Sequence, residues 1–270
     1  MKAMVVLALL RLLAVLPLRL NHSVGDLIGR LYVLIPNRRR RVAQVNVDLC
    51  YPDQDEKWRR SVMVDSLKES AKVFTELSPL WYWNQERLMK LVVDVSGETV
   101  LEDALAKRTG VIILFPHIGC WEMVNSYVSS RLQVRFTVLF RPEQMEALQP
   151  SMQCGRERFG ARLVSTDFNG VRALYRALNA GEVIGILPDQ EPQRDAGVFA
   201  PFFGIPAYTM SLLPRLAQKT RAPVVTAMME RLPAGKGYKL HYLPVSDAIY
   251  DENPVVSATA VNDAVQACIA

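Results

Sequence analysis

Hydrophobic and polar positions along this 270-residue chain change their spacing once, near residue 90. Before that point the period is helical. Residues 1–20 are apolar except for Lys2, Arg11, Pro17 and Arg19, residues 24–35 form a second amphipathic stretch, and four arginines follow at 38–41. Over 55–77 apolar residues including Trp58, Val62, Leu67, Val73 and Leu77 recur at helical intervals, and Trp81, Tyr82 and Trp83 cluster after Pro79.

Beyond residue 90 short β-rich runs alternate with helix-period segments. Strands are expected at 91–95, 111–115, 134–140, 162–165, 183–187, 224–229 and 238–243. Helices are expected at 98–107, from about 120, up to about 159, at 169–179 and at 210–219. A turn at 233–237 makes the last two strands a hairpin, and the aromatic stretch 199–209 reads as a loop. Such alternation predicts an α/β fold, a largely parallel mixed sheet flanked by helices, with sites at the C-terminal ends of strands. The expected division is 1–36 as membrane anchor or interfacial helices, 37–90 as a helical region and 91–270 as the α/β core. The chain ends within an apolar-periodic segment that reads as an unfinished helix.

Residues 1–20 lack the small-residue cleavage site of a secretory signal. As a bilayer span they are poor, because a central arginine costs ~2.5–3.5 kcal/mol on insertion scales. An interfacial or partly inserted helix serves at least as well, and an ordinary buried helix is the alternative. Arg38 to Arg41 beside an apolar helix would be drawn to anionic lipid by ~1 kcal/mol each and mark the cytoplasmic side. The aromatic cluster at 81–83 is expected to close a core.

Composition narrows the partners. The chain is 50% hydrophobic with net charge +5, which suits an acidic protein, an anionic lipid surface or nucleic acid. No nucleic-acid-binding signature is present, so nucleic acid is not expected. Cys50, Cys120, Cys154 and Cys268 lie far apart, and His22, His117 and His241 form no H-E-x-x-H. Neither a disulfide framework nor a catalytic metal is indicated, and a reducing compartment fits. G-x-S-x-G, Walker A and G-x-G-x-x-G are all absent, which argues against serine hydrolases, P-loop enzymes and dinucleotide folds.

The candidate chemistry sits in GVIILFPHIGCWE, residues 110–122. An unbroken apolar run of five is too short for a helix and reads as a strand buried on both faces, ended by Pro116. His117 and Glu122, five apart, would stand ~140° apart on one helix, so they meet only if His117 lies in a turn that Gly119 permits. Glu122, in the first turn of the next helix, would then swing back to hold a ring nitrogen. A carboxylate so placed fixes the tautomer and makes the other nitrogen a general base. A structural, hydrogen-bonded histidine is the alternative reading.

The pattern PHIGCWE resembles the H-x4-D/E signature of the glycerolipid and lipid A acyltransferases. FRP at 140–142, GRERFGARLV at 155–164, GEVIGILPDQEP at 181–192, GVFAPFFGIPAYT at 197–209 and RLAQKTRAPVV at 215–225 are similar, in order and spacing, to the bacterial lipid A late acyltransferases. The resemblance implies transfer of a lauroyl- or myristoyl-class chain from acyl-acyl carrier protein to a hydroxyl of a Kdo-lipid A precursor. It implies no cofactor, and it places the enzyme at the cytoplasmic face of the bacterial inner membrane, on its anionic surface. His117 would be the base and Glu122 its orienter; Arg141, Arg156 and Arg158 would bind acceptor phosphates. Arg156 and Arg158 lie on different sides of a helix, so one is expected to face the site, Arg156 being the weaker candidate. Asp189 and Gln190, after a strand, would bind acceptor or support the site, or form only a polar turn. Aromatic residues of 199–209 would line the mouth of an acyl groove or pack on the core. Cys120 as a nucleophile is a rival mechanism. A lysophospholipid or aminolipid O-acyltransferase, or a non-catalytic lipid-binding homologue, is an alternative for the whole chain. Family members usually carry a further C-terminal tail, expected to be absent here.

Overall fold

The computed structural model describes residues 2–132, 135–140 and 146–269. The first third is helical, with α1 (Lys2–Leu13), α2 (Leu18–Leu34), α3 (Arg38–Cys50), α4 (Glu56–Tyr82) and α5 (Gln85–Met89). Pro17 stands at the N-cap of α2, so the apolar stretch 1–20 is divided between two helices. The Asp55 side chain opens α4 by accepting from the Trp58 N–H at 2.8 Å. Pro79 falls inside α4 near its end, so Trp81 and Tyr82 are helical. The aromatic cluster does close a core: Trp83 is buried, and its indole N–H donates to the Ala14 carbonyl at 2.7 Å.

Helices α2 and α4 touch backbone to backbone. Gly25 and Gly29 share one face of α2, and a Cβ on Gly29 would come within 2.4 Å of the Lys68 Cα. Two glycines therefore set the spacing of the pair. The other face of α2 leaves Leu20, Leu27, Leu31 and Leu34 exposed. Among the described residues no helix is long and apolar enough to cross a membrane.

The α/β part follows with β1 (Val92–Ser96), α6 (Glu98–Ala106), β2 (Val111–Leu114), α7 (Trp121–Arg131), β3 (Phe136–Phe140), α8 (Gln149–Glu157), β4 (Ala161–Ser165), α9 (Phe168–Asn179) and β5 (Val183–Ile186). Then come β6 (Gly197–Phe202), β7 (Ile205–Met210), α10 (Leu212–Thr220), β8 (Val224–Arg231), β9 (Tyr238–Pro244) and α11 (Pro254–Gln266). Seven strands form one sheet in the order β1-β9-β8-β2-β5-β3-β4. Its pairings are parallel except for the β8–β9 hairpin.

All four residues of central β2 are buried, and they alternate between two cores. Val111 and Ile113 pack with Met123 and Val124 of α7; Ile112 and Leu114 pack with Leu174, Leu216 and Val261 of α9, α10 and α11. A strand covered on both faces cannot alternate apolar with polar, which is why 111–115 reads as a continuous run.

The stretch 199–209, expected as a loop, is instead most of an antiparallel hairpin, β6–β7, with Pro201 opposite Pro206. Phe203 and Gly204 turn it with φ of 50° and 74°, the two positive angles a tight primed turn requires. The two prolines remove ladder donors, a cost tolerable in a two-stranded ribbon, and they disguise the strands in the sequence.

A buried polar cluster fastens the helical part to the sheet. Glu76 of α4 accepts from Arg231 Nε at 2.8 Å, from Arg231 Nη2 at 2.7 Å and from the Tyr238 hydroxyl at 3.0 Å. It also pairs with His22 Nε2 at 2.8 Å. Burial alone would push the Glu76 carboxyl up; Arg231 and His22 outweigh it and hold it down at about 2.

Candidate active site

The register of two adjacent strands builds the centre. In the parallel pair β2–β5, Leu114 lies opposite Ile186. Each strand then runs out through one apolar residue and one proline, Phe115-Pro116 and Leu187-Pro188. The third residue past each end is therefore level with the other, and these are His117 and Asp189. The His117 Nδ1 stands 2.8 Å from Asp189 Oδ1, and the other carboxylate oxygen accepts from the His117 backbone N–H at 2.8 Å. An ionised carboxylate only accepts, so Nδ1 carries a proton, and in the neutral ring the lone pair is then on Nε2. Gln190 Nε2 lies 3.2 Å from that Nε2, and the Trp121 ring meets the imidazole edge-on with centroids 4.8 Å apart.

His117 lies in a turn, as its spacing requires. Gly119 adopts φ of +61°, and a Cβ there would come within 2.0 Å of the Met229 carbonyl oxygen. That same carbonyl accepts from the Cys120 N–H at 2.9 Å. Glu122 duly falls in the first turn of α7, but the carboxylate against the ring is Asp189. Glu122 is buried and faces α8, where Arg156 grips it with two bonds, Nε to Oε1 at 2.6 Å and Nη2 to Oε2 at 2.9 Å. A carboxylate so far from water needs such a fork. The single expected contact is thus replaced by two, the His117–Asp189 hydrogen bonds and the Arg156–Glu122 ion pair.

Of the two arginines on α8 and just past it, Arg156 faces the site, contrary to the ranking drawn from the sequence. It lines the cavity, and its guanidinium lies 5.5 Å from the Trp121 ring centroid. Arg158 turns away to the Leu80 carbonyl at 3.4 Å and packs over Phe159. Arg141 lies outside the described residues. Cys120 is buried, and burial pushes its thiol well up, so it is neither exposed nor ionised as an attacking thiolate must be.

A cavity of about 530 Å³ opens at His117. Val138, Leu139, Leu163, Val171 and Leu187 give it an apolar wall; Glu122, Asn125, Arg156 and Gln190 give it polar groups. This combination suits a molecule with a long hydrocarbon part and a polar head. The sequence profile of the bacterial lipid A biosynthesis acyltransferases matches residues 1–270. The chain belongs to this family.

Its relatives agree with one another. Over 264 residues it is 25% identical to the lipid A biosynthesis lauroyltransferase of Escherichia coli K12, covering 97% of this chain and 85% of that one. It is 26% identical over 240 residues to the palmitoleoyltransferase of the same organism, covering 88% and 77%, and 23% identical over 213 residues to its myristoyltransferase, covering 79% and 65%. Among the described residues, His117 is the only histidine that lines this cavity.

Sequence reasoning named Asp189 without its partner and missed Trp121. The signal for the first was present: FPH and LPD end two strands in the same way. What no spacing reports is that those two strands are neighbours.

Proposed function

We propose that this acyltransferase moves a fatty acyl chain of the lauroyl or myristoyl class from acyl-acyl carrier protein to a hydroxyl of a Kdo-bearing lipid A precursor. The observation that carries the reading is His117 with Nδ1 tied to Asp189 and Nε2 turned to a half-apolar cavity. Nε2 takes the proton of the acceptor hydroxyl as its oxygen attacks the thioester carbonyl carbon. The tetrahedral intermediate expels the thiolate, which takes the proton back from the imidazolium. An ester and a free thiol result.

Asp189 orients the base. Gln190 caps Nε2 in the absence of substrate and yields to the hydroxyl. Glu122 acts through Arg156, holding the guanidinium at the cavity wall where it meets an anionic part of the acceptor. The test is transfer from acyl-acyl carrier protein to a tetra-acylated, Kdo-bearing precursor, with products weighed by mass spectrometry. Gain of one acyl chain, lost in His117→Ala, supports the reaction. A lysophospholipid or aminolipid accepted in its place would move the assignment to the alternative acceptor, and lipid binding without turnover would make the chain a binding protein.

The exposed apolar faces of the N-terminal helices support work at a membrane surface. Met4, Leu9 and Leu12 of α1, Leu27, Leu31 and Leu34 of α2, and Val42, Val45 and Leu49 of α3 are all exposed, and Arg38 to Arg41 stand at the start of α3. The reading is an interfacial seat on the cytoplasmic face of the inner membrane. Cosedimentation with anionic vesicles, reduced when the four arginines become glutamine, is the expected result; equal binding by the variant would remove the arginines from that role.

A further inference from the structure

A second cavity, of about 320 Å³, lies on the far side of the segment 188–191. Its other walls are the β6–β7 hairpin, through Phe202, Ala207, Tyr208 and Thr209, and α11, through Asn262 and Val265. Gln190 and Glu191 line both cavities. Asp189 lines the second while holding His117, which lines the first. The reactive nitrogen is therefore set on a partition between two chambers.

We propose that the second cavity receives the neutral, amide-bearing pantetheine arm of the thioester donor. The inference rests on the acyl-transfer reading and specifies where the donor lies. Charge decides against the ionic parts of either substrate, because among the described residues the lining holds the carboxylates of Asp189 and Glu191 and no lysine or arginine. A phosphate would be repelled there. The remaining lining is mixed: Gln190, Tyr208, Thr209 and Asn262 are amide and hydroxyl side chains, while Pro188, Phe202, Ala207 and Val265 are apolar.

An arm of amides separated by methylenes presents the same mixture of neutral polar and apolar groups. The wall is also stiff. Asn262 Nδ2 donates to the Pro201 carbonyl at 2.9 Å and to Thr209 Oγ1 at 2.8 Å, tying α11 to both strands of the hairpin. The Tyr208 hydroxyl accepts from the Gly197 N–H at 3.1 Å. With the arm in this chamber the thioester carbonyl reaches the partition at Gln190. The acceptor hydroxyl meets it there from the first chamber, on Nε2. Carrier protein and coenzyme A share the arm, so the subsite does not distinguish them; comparing donors on each does.

The experiment compares acyl-pantetheine with the acyl thioester of N-acetylcysteamine, which lacks most of the arm, on the unsubstituted chain and on Ala207→Leu. The larger side chain takes space from the second cavity. Expected is a fall of about tenfold in the ratio of kcat/KM for the long donor over the short one, the usual effect of a few lost apolar contacts. An equal fall for both donors, or a rise confined to the acceptor KM, would overturn the subsite, the latter assigning the cavity to an acceptor chain. Val265→Phe, approaching from α11, repeats the test should Ala207→Leu not fold. Pantetheine alone is titrated in parallel and read by ligand-observed NMR. Saturation transfer to the arm, lost in the variant, supports the subsite even if no acyl transfer occurs with any donor, an outcome that would defeat the functional reading alone. No saturation transfer with the unsubstituted chain overturns the subsite.

Discussion

Asp189→Asn separates orientation from structure at the base. The carboxylate accepts twice from His117, from the ring Nδ1–H and from the backbone N–H, both at 2.8 Å. An asparagine of the same shape has one acceptor oxygen and one NH2. If the oxygen stays on the backbone N–H, the NH2 faces Nδ1, which must then accept, and the ring proton moves to Nε2. If the amide flips, the NH2 faces a peptide N–H that cannot change its tautomer, and a bond worth ~0.5–1.5 kcal/mol is lost. The ring yields more easily than the peptide, so the first arrangement prevails and the lone pair leaves Nε2. The loss is then the contribution of the general base, about 10²–10⁴ in kcat, or about 3–5 kcal/mol of barrier. Acceptor KM should change little, since no group on the cavity wall moves. Single-turnover transfer with saturating donor, alongside a melting curve, gives both quantities. A variant within tenfold of the unsubstituted rate would refute the orienting role, because no arrangement of the amide supplies both bonds.

Glu122→Ala should behave differently. It removes both bonds of a buried ion pair and is expected to cost ~3–5 kcal/mol of stability in urea unfolding, with activity falling as the site loosens; stability within 1 kcal/mol would make the pair dispensable. Cys120→Ser should keep at least about half of the activity, because the buried thiol is not ionised, whereas near-total loss in a folded variant would restore the nucleophile. The third test is acid unfolding. Glu76 titrates at about 2 in the fold against an ordinary 4.5, so the unfolded chain takes up its proton first on acidification. The stabilisation, ~3 kcal/mol, is complete above pH 4.5 and disappears towards pH 2. Glu76→Gln should flatten that limb of the stability curve, and an unchanged slope would mean that another carboxylate carries it.

Much of this architecture is readable from periodicity, and the parts that are not share a cause. The strand at 111–115, the helix that carries Glu122 and the turn that holds His117 are local, so spacing and one glycine suffice. The partner of His117 is not local. Asp189 lies 72 residues away, and only the adjacency of β2 and β5 brings the two proline-ended strands level. Glu122 invites the shorter inference because it is near in sequence; the fold gives it to Arg156 instead, since a buried carboxylate takes the guanidinium that α8 presents. The hairpin at 197–210 escapes notice for a chemical reason, two prolines facing each other across a ribbon. Its importance follows from position, as it walls the second cavity.

The same strand that completes the turn holding His117 also connects it to the N-terminal helices. The Met229 carbonyl of β8 holds Cys120 and admits only glycine at 119; two residues further on, Arg231 grips Glu76 of α4. Helix α4 is in contact with α2 at backbone distance through Gly25 and Gly29, and the far face of α2 is apolar and exposed. From that face to His117 the path runs through close backbone packing, a buried ion pair and a backbone hydrogen bond, with no flexible surface side chain in it. Burying Glu76 between α4 and the sheet carries a desolvation cost that Arg231, His22 and Tyr238 together offset. The cluster is therefore the joint between the helical part and the strand that holds Gly119 and Cys120. Arg231→Met leaves the Glu76 carboxylate buried without its guanidinium and should cost ~3–5 kcal/mol of stability in urea unfolding; stability within 1 kcal/mol of the unsubstituted chain would refute the joint.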